Sequence, residues 1–323
     1  MKKHKSHVSG TKDFIDINNV HRSFLEKAFA LTDELKRHPR IPLLKDKSLA
    51  MIFAKTSTRT RVSFEVGMTQ LGGHGIFIDA RASQIGKGET IADTARTLSR
   101  YCDGIMARIY DHKDMKELAR HASVPVINGL TDLLHPCQAM ADLYTIDEKL
   151  ERLKGINLAY IGDAKNNVCH SLMQLSTKLG VNMKIGCPKE YAPKKEIYSL
   201  SMKNAKVTGS TIRLFTDPAK AAKDADVVYT DTWVSMGQEK EAERRLKTLK
   251  PYQVNRKLMK HAKPFCLFMH CLPAYRGNEV TADVIDSPSS IVFDQAENRL
   301  HTQKAILSLL MNKQKALMAL EHR

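Results

Sequence analysis

Along most of this chain, short apolar or β-branched runs alternate with longer stretches whose apolar residues recur at helical spacing. In the first half the short runs predict strands near residues 48–54, 74–78, 104–107 and 124–128. In the second half they predict strands near 156–161, 182–187, 211–215, 227–230, 264–270 and 291–293. Between them the spacing is helical, as at Val62, Val66 and Leu71 after the first strand. Strand–helix alternation of this kind builds parallel sheets covered by helices on both faces. The expected class is therefore α/β, with two parallel-sheet α/β domains.

The charged stretch 147–154, which follows a helix beginning at Pro136, is the expected break between domains 1–146 and 147–323. A last helix, about 302–321, comes after all the strands and is expected to return to the first domain.

At 323 residues the chain exceeds what one core usually organises, in keeping with two domains. No apolar run is long enough to span a bilayer, and the basic start lacks an apolar stretch behind it, so neither a membrane span nor a secretory signal is expected. The six cysteines show neither zinc spacing nor a disulfide framework, which predicts reduced thiols in a cytoplasmic protein.

Charge changes the picture more. Lys and Arg outnumber Asp and Glu by 51 to 35, a net +16. Such an excess suits nucleic acid, but the basic residues are dispersed and no aromatic platform is interleaved with them. A solvated basic surface that attracts anionic substrates is the preferred reading, with no nucleic-acid partner.

In parallel α/β domains ligands sit at the carboxyl ends of strands, and the unusual polar motifs of this chain fall at such places. Ser57-Thr58-Arg59-Thr60-Arg61 follows the first strand and opens a helix. A helix N-terminus with added hydroxyls and guanidiniums suits phosphate. Simple capping by Ser57 or Thr58 is the other reading. At His135-Pro136-Cys137-Gln138, Pro136 suits a first helical turn. The imidazole and the amide then face one space, fit for a carbonyl and an NH2 group, or the histidine is structural. Asn166 and Asn167 follow another strand in a turn without G-x-G-x-x-G, which excludes a dinucleotide cofactor but leaves an amino-acid ligand or a plain turn. Asp231, at a strand end before Ser235-Met236-Gly237, suits an ammonium or a helix cap. Cys271 stands beside His270 at another strand end, as an activated thiol or an inert buried one.

Taken together and in this order, the segments resemble the aspartate/ornithine carbamoyltransferase family over nearly the whole chain. Ser57-Thr58-Arg59-Thr60-Arg61 with Val62-Ser63-Phe64-Glu65 looks like the family's carbamoyl-phosphate signature. The resemblance implies that Ser57, Thr58, Arg59, Thr60, Gln84, Arg108, His135, Gln138, Cys271, Leu272 and Arg299 bind carbamoyl phosphate. It implies that Asn167, Asp231, Ser235 and Met236 bind ornithine, and that Cys271, Arg108, His135 and Asp231 are catalytic. His270-Cys271-Leu272-Pro273 is similar to the hallmark of the ornithine branch, whereas the aspartate branch reads His-Pro-Leu-Pro there. The loop from Ser83 to Thr90 resembles both branches, through Gln84 on one side and Lys87 on the other.

The implied reaction moves the carbamoyl group of carbamoyl phosphate to the side-chain amine of L-ornithine, giving L-citrulline and phosphate in arginine metabolism. Aspartate or another amine is the alternative acceptor. No metal or organic cofactor is implied. The first domain would bind carbamoyl phosphate and the second ornithine, in a homo-oligomer that is a trimer or a multiple of trimers. The resemblance makes Cys271 the candidate proton acceptor from the amine.

Overall fold

The computed structural model describes residues 11–85, 88–234 and 239–321. Among them the alternation resolves into nine strands in two wholly parallel sheets. The first part of the chain runs α1 (Arg22–Arg37), β1 (Ser48–Phe53), α2 (Thr58–Gln70), β2 (His74–Asp79), α3 (Ile91–Tyr101), β3 (Gly104–Arg108), α4 (His112–His121), β4 (Val126–Leu130) and α5 (Pro136–Leu150). Its sheet has the order β2-β1-β3-β4.

The chain leaves α5 through Glu151, whose left-handed φ of 54° ends the helix. It then runs β5 (Asn157–Ile161), α6 (Asn167–Leu179), β6 (Asn182–Gly186), α7 (Lys195–Thr208), β7 (Ile212–Phe215), α8 (Pro218–Ala222), β8 (Val227–Thr230), α9 (Ala242–Leu249), α10 (Arg256–Met259), β9 (Leu267–His270), α11 (Ala282–Ile285), α12 (Val292–Met311) and α13 (Lys313–Glu321). The second sheet has the order β7-β6-β5-β8-β9.

Strand periodicity sorts the cores. In β1, Leu49, Met51 and Phe53 join one apolar cluster while Ala50 and Ile52 join another on the opposite face. β5 does the same with Leu158 and Tyr160 against Ala159 and Ile161. The central strands of each sheet are thus buried on both faces beneath helices, as parallel sheets require, while edge strands β2 and β7 stay partly exposed. One cluster runs from α1 and α2 through α5 into α6 and β6, so the two sheets share a continuous core.

The structure corrects the end of the chain. Residues 291–293 are not a strand: Ser290 makes a single bridge to Phe268, and the chain turns directly into α12. Ile291 is already the N-cap of the helix and Val292 its first residue, with Phe293 73% exposed on its outer face. The last helix therefore starts ten residues earlier than its predicted start at 302, and it breaks at Asn312. It does pack back onto the first part of the chain, against α1, α2 and α5. Among the described residues no helix is long and apolar enough to cross a membrane.

Candidate active site

The carboxyl ends of β1, β3 and β4 face those of β5, β8 and β9 across a cavity of about 650 Å³. That is the place where parallel α/β sheets bind ligands, because the turns into the following helices gather there.

One wall is cationic. Ser57 caps α2, its side chain accepting from the Thr60 N–H at 3.2 Å, so the capping reading of this residue holds. Capping does not account for the rest of the turn. Thr60 is buried, and its hydroxyl oxygen accepts from Arg108 at 3.4 Å and from Arg299 at 3.3 Å. Arg299 also donates to the Gln138 Oε1 at 2.6 Å and to Gln303 at 3.0 Å. Burial, with Arg299 and Arg59 close by, pushes the Arg108 guanidinium down to about 10. Lys55 lines the same wall and is lowered by burial and by Arg108. Cations held this close in a partly dry site predict an anionic ligand.

His135 lies at the start of α5, behind Pro136 at the first helical position. Burial pushes its imidazole well below the usual histidine range, and Arg299 and Arg108 add to the shift. It is therefore neutral at physiological pH. Gln138, one turn on, donates its amide to Asp142 at 2.7 Å.

The opposite wall carries the carboxylate and the thiol. Asp231 follows β8 and is buried; its Oδ1 accepts from the Thr232 N–H at 2.8 Å and from the Cys271 thiol at 3.0 Å. Its Oδ2 accepts from the Asn166 amide at 3.1 Å. Burial raises the Asp231 carboxyl. Burial and then the Asp231 charge raise the Cys271 thiol well above its ordinary value. In this geometry the Cys271 thiol donates the hydrogen bond and Asp231 accepts it.

The turn that presents Cys271 is held from behind. The His270 Nδ1 accepts from the Leu272 N–H at 2.9 Å, and its Nε2 lies 3.2 Å from Glu279, which fixes the proton on Nε2. Leu272 sits at φ 55°, a left-handed conformation that a bulky residue keeps only under such constraint. Asp231, His270 and Cys271 bring ligand atoms within 4.8 Å of one another, a grouping a metal could use. Both His270 nitrogens are already hydrogen-bonded, however, and the thiol and both Asp231 oxygens are engaged as well.

The turn after Asp231 is anchored by Arg245 on α9. That side chain pairs with buried Asp163, donates to the Trp233 carbonyl at 2.6 Å and stacks on Tyr191.

Two family models cover most of the chain. The carbamoyl-P binding domain of aspartate/ornithine carbamoyltransferase matches residues 12–148, and the Asp/Orn binding domain of the same family matches 154–310. The chain belongs to the aspartate/ornithine carbamoyltransferase family. It is 55% identical to an ornithine carbamoyltransferase of Thermococcus kodakarensis, over 93% of this chain and 96% of that protein. It is 60% identical to the anabolic ornithine carbamoyltransferase of Pyrococcus furiosus, over 83% of this chain and 85% of that one. The solved ornithine carbamoyltransferase structure from Pyrococcus furiosus superposes with a TM-score of 0.91 at 53% identity, covering 94% of this chain and 97% of its own.

Of the groups expected from the resemblance to this family, Ser57, Thr58, Arg59, Thr60, Arg108, His135, Gln138, Asn167, Asp231, Cys271, Leu272 and Arg299 line the one cavity. Gln84 does not: it is exposed on the loop before α3, away from this lining. Ser235, Met236 and Lys87 lie outside the described residues. The Asn167 amide donates to the Thr131 carbonyl at 2.6 Å, whereas its neighbour Asn166 is the one that touches Asp231.

Sequence reasoning missed Lys55, Trp233 and Glu279 as cavity residues, and Asp142 behind Gln138. Only Asp142 left a local signal. It stands four residues after Gln138 on the same helix, the spacing at which side chains meet.

Proposed function

We propose that the chain transfers the carbamoyl group of carbamoyl phosphate to the side-chain amine of L-ornithine, releasing L-citrulline and phosphate. The observation that carries this reading is the pairing, across one cavity, of a guanidinium cluster with a buried carboxylate and thiol. An anion and an ammonium compound can meet there.

Arg59, Arg108 and Arg299, together with the N-terminus of α2, bind the phosphate and stabilise it as leaving group. Thr60 uses both lone pairs on the two arginines, so its own O–H is left to donate to the carbamoyl oxygen. Neutral His135 adds a second donor there, and Gln138 meets the carbamoyl amide.

A free alkyl ammonium resembles lysine, so removing its proton near pH 7.5 costs about 4 kcal/mol. Asp231, ionised but raised by burial, accepts the ammonium and helps draw off that proton. Cys271 keeps its proton and orients Asp231. The amine nitrogen then bonds to the carbamoyl carbon, the C–O bond to phosphate breaks, and the second amine proton leaves with the phosphate. Asn167, Ser235 and Met236 hold the amino-acid end of ornithine.

Residues 1–146 serve as the carbamoyl-phosphate half and 147–323 as the ornithine half. The enzyme acts in the cytoplasm, in arginine biosynthesis, as the relative named anabolic suggests. It works as a trimer or a multiple of trimers. Val62 and Phe77 are exposed on α2 and edge strand β2, lining a second cavity of about 640 Å³ that shares Lys55, Thr56, Ser57 and Thr58 with the first. A second copy seated on this face would stand next to those shared residues, with Gln84 of its exposed loop as the candidate contact.

The test is a citrulline-forming assay with carbamoyl phosphate against a panel of amines. Ornithine is expected to exceed aspartate and putrescine by a large factor in kcat/KM. Faster carbamoylation of aspartate would overturn the choice of acceptor.

A further inference from the structure

Asp142 does not line the cavity, yet it touches Gln138 on one wall and Tyr229 on the strand whose end carries the other. It is fully buried on α5. Its Oδ1 accepts from the Gln138 amide and the Gln295 amide, each at 2.7 Å, and its Oδ2 accepts from the Tyr229 hydroxyl at 3.2 Å. Beyond the first ring of contacts, Gln138 passes its Oε1 to Arg299 at 2.6 Å. Gln295 passes its Oε1 to the His270 N–H at 3.0 Å, and its amide also reaches Tyr229 at 3.0 Å.

We propose that Asp142 is a positioning residue that sets the Gln138 amide and, through it, the Arg299 guanidinium, while tying both to the strand ends that carry Asp231 and Cys271. The inference rests on the function proposed above.

The physical reason lies in the ambiguity of an amide. A glutamine side chain presents either NH2 or C=O to a given neighbour, and the two orientations have almost the same shape. An ionised carboxylate only accepts, so it forces the NH2 of Gln138 toward itself and leaves the oxygen for Arg299. If the amide turned over, two acceptors would face each other and the guanidinium would meet an NH2 group. Asp142 imposes the same choice on Gln295, whose oxygen then receives the His270 N–H. His270 immediately precedes Cys271 on β9 and Tyr229 stands two residues before Asp231 on β8, so one carboxylate ties Gln138 on one wall to the strands that carry the other. Its burial raises it to about 7, which the three donors and Arg299 oppose. Both of its oxygens accept and neither donates, which is the hydrogen-bond pattern of the carboxylate form.

The test is a double-mutant cycle between Asp142 and Gln138, read as kcat/KM for carbamoyl phosphate. Asp142→Ala and the shape-conserving Asp142→Asn are both made, so that a folding failure of the first leaves the second decisive. Loss of alignment predicts a fall of about 100-fold in Asp142→Ala. A smaller fall is expected in Asp142→Asn, which retains one acceptor oxygen. Against a Gln138→Ala background either change is expected to cost little more. A purely structural role would lower thermal stability while folded variants kept the wild-type constant. That result, or losses that multiply in the double variants, overturns the proposal. A wild-type protein that forms no citrulline would instead remove the functional reading and this inference with it.

Discussion

The Cys271 thiol lies 3.0 Å from the Asp231 carboxylate and donates to it, although the residues are 40 positions apart. The register of two strands makes this contact. β8 and β9 are parallel neighbours with Thr230 opposite His270, so the next residue on each strand lands beside the other at the carboxyl edge. The thiol keeps its proton because it is buried next to a carboxylate. Burial raises the carboxyl, and His270, the thiol and the Thr232 N–H oppose that rise. Each of the two groups biases the protonation of the other.

Across the cavity, Arg59 is exposed, so it can be removed without disturbing the core. Arg59→Ala is expected to leave the melting temperature nearly unchanged. It should lower kcat/KM for carbamoyl phosphate by about 10- to 150-fold, the equivalent of one charge-assisted contact of about 1.5–3 kcal/mol. Steady-state kinetics with carbamoyl phosphate varied at saturating ornithine measures this. Wild-type constants would reduce the turn to a helix cap.

The apolar face on α2 and β2 gives a separate expectation for assembly. Val62 is 50% exposed, so Val62→Glu has room within one chain. Facing a second copy, the same carboxylate would be buried without a partner, a costly arrangement. Light scattering is expected to show the variant at the monomer mass, with normal circular dichroism and greatly reduced turnover. An unchanged multimer of full activity would exclude this face from the interface.

The chain alternation and the strand-end motifs were legible in the sequence because each depends on residues close together along it. The runs at β1 and β8 and the turns after them need only local spacing to be read. What stayed hidden depends on tertiary register. Nothing near Cys271 indicates that it donates to Asp231, since that follows from which strands become neighbours. The run at 291–293 opens with β-branched Ile291 and Val292 and follows the single bridge from Ser290 to β9, but burial of the following helical face overrides its local preference. Asn166 and Asn167 look equivalent as a pair, and only the cap geometry separates the one facing Asp231 from the one bound to Thr131.

Acid stability should depend on His170. Its Nδ1 lies 3.1 Å from the Leu133 carbonyl and its Nε2 accepts from the Lys194 N–H at 3.2 Å, an arrangement that suits only the neutral ring. Burial first, then Lys194, pushes its pKa down to about 4. In the unfolded chain the ring takes up its proton near 6.5, so its contribution is whole above that pH and is lost as pH falls toward 4. The loss is about 1.4 kcal/mol per pH unit, or about 3 kcal/mol in all. Urea unfolding at pH 7 and pH 4 is expected to show His170→Asn less stable at pH 7 but losing about 3 kcal/mol less than wild type on acidification. Equal losses in both proteins would assign the acid sensitivity to other groups.

The Cys271–Asp231 contact separates two roles for the thiol by their effect on the pH–rate profile. If Cys271 acts as a donor that keeps Asp231 ionised, Cys271→Ser retains an O–H and should lower kcat only a few-fold, with the acidic limb in place. Cys271→Ala removes the donor. The thiol hydrogen bond is one of the interactions holding the Asp231 carboxyl down against burial, so its loss must raise that carboxyl further. The active form of Asp231 is the carboxylate, which is lost as pH falls. A higher pKa therefore moves the acidic limb of kcat toward neutral pH in the alanine variant. If the thiol were itself the proton acceptor, it would have to ionise, and serine, a far weaker acid, would lose as much as alanine. The ionisation of ornithine is common to all three proteins and cancels in their ratios. Matching profiles for serine and alanine, both strongly depressed, would return the acceptor role to Cys271. A displaced limb in alanine alone would leave Asp231 as the group that receives the ammonium proton.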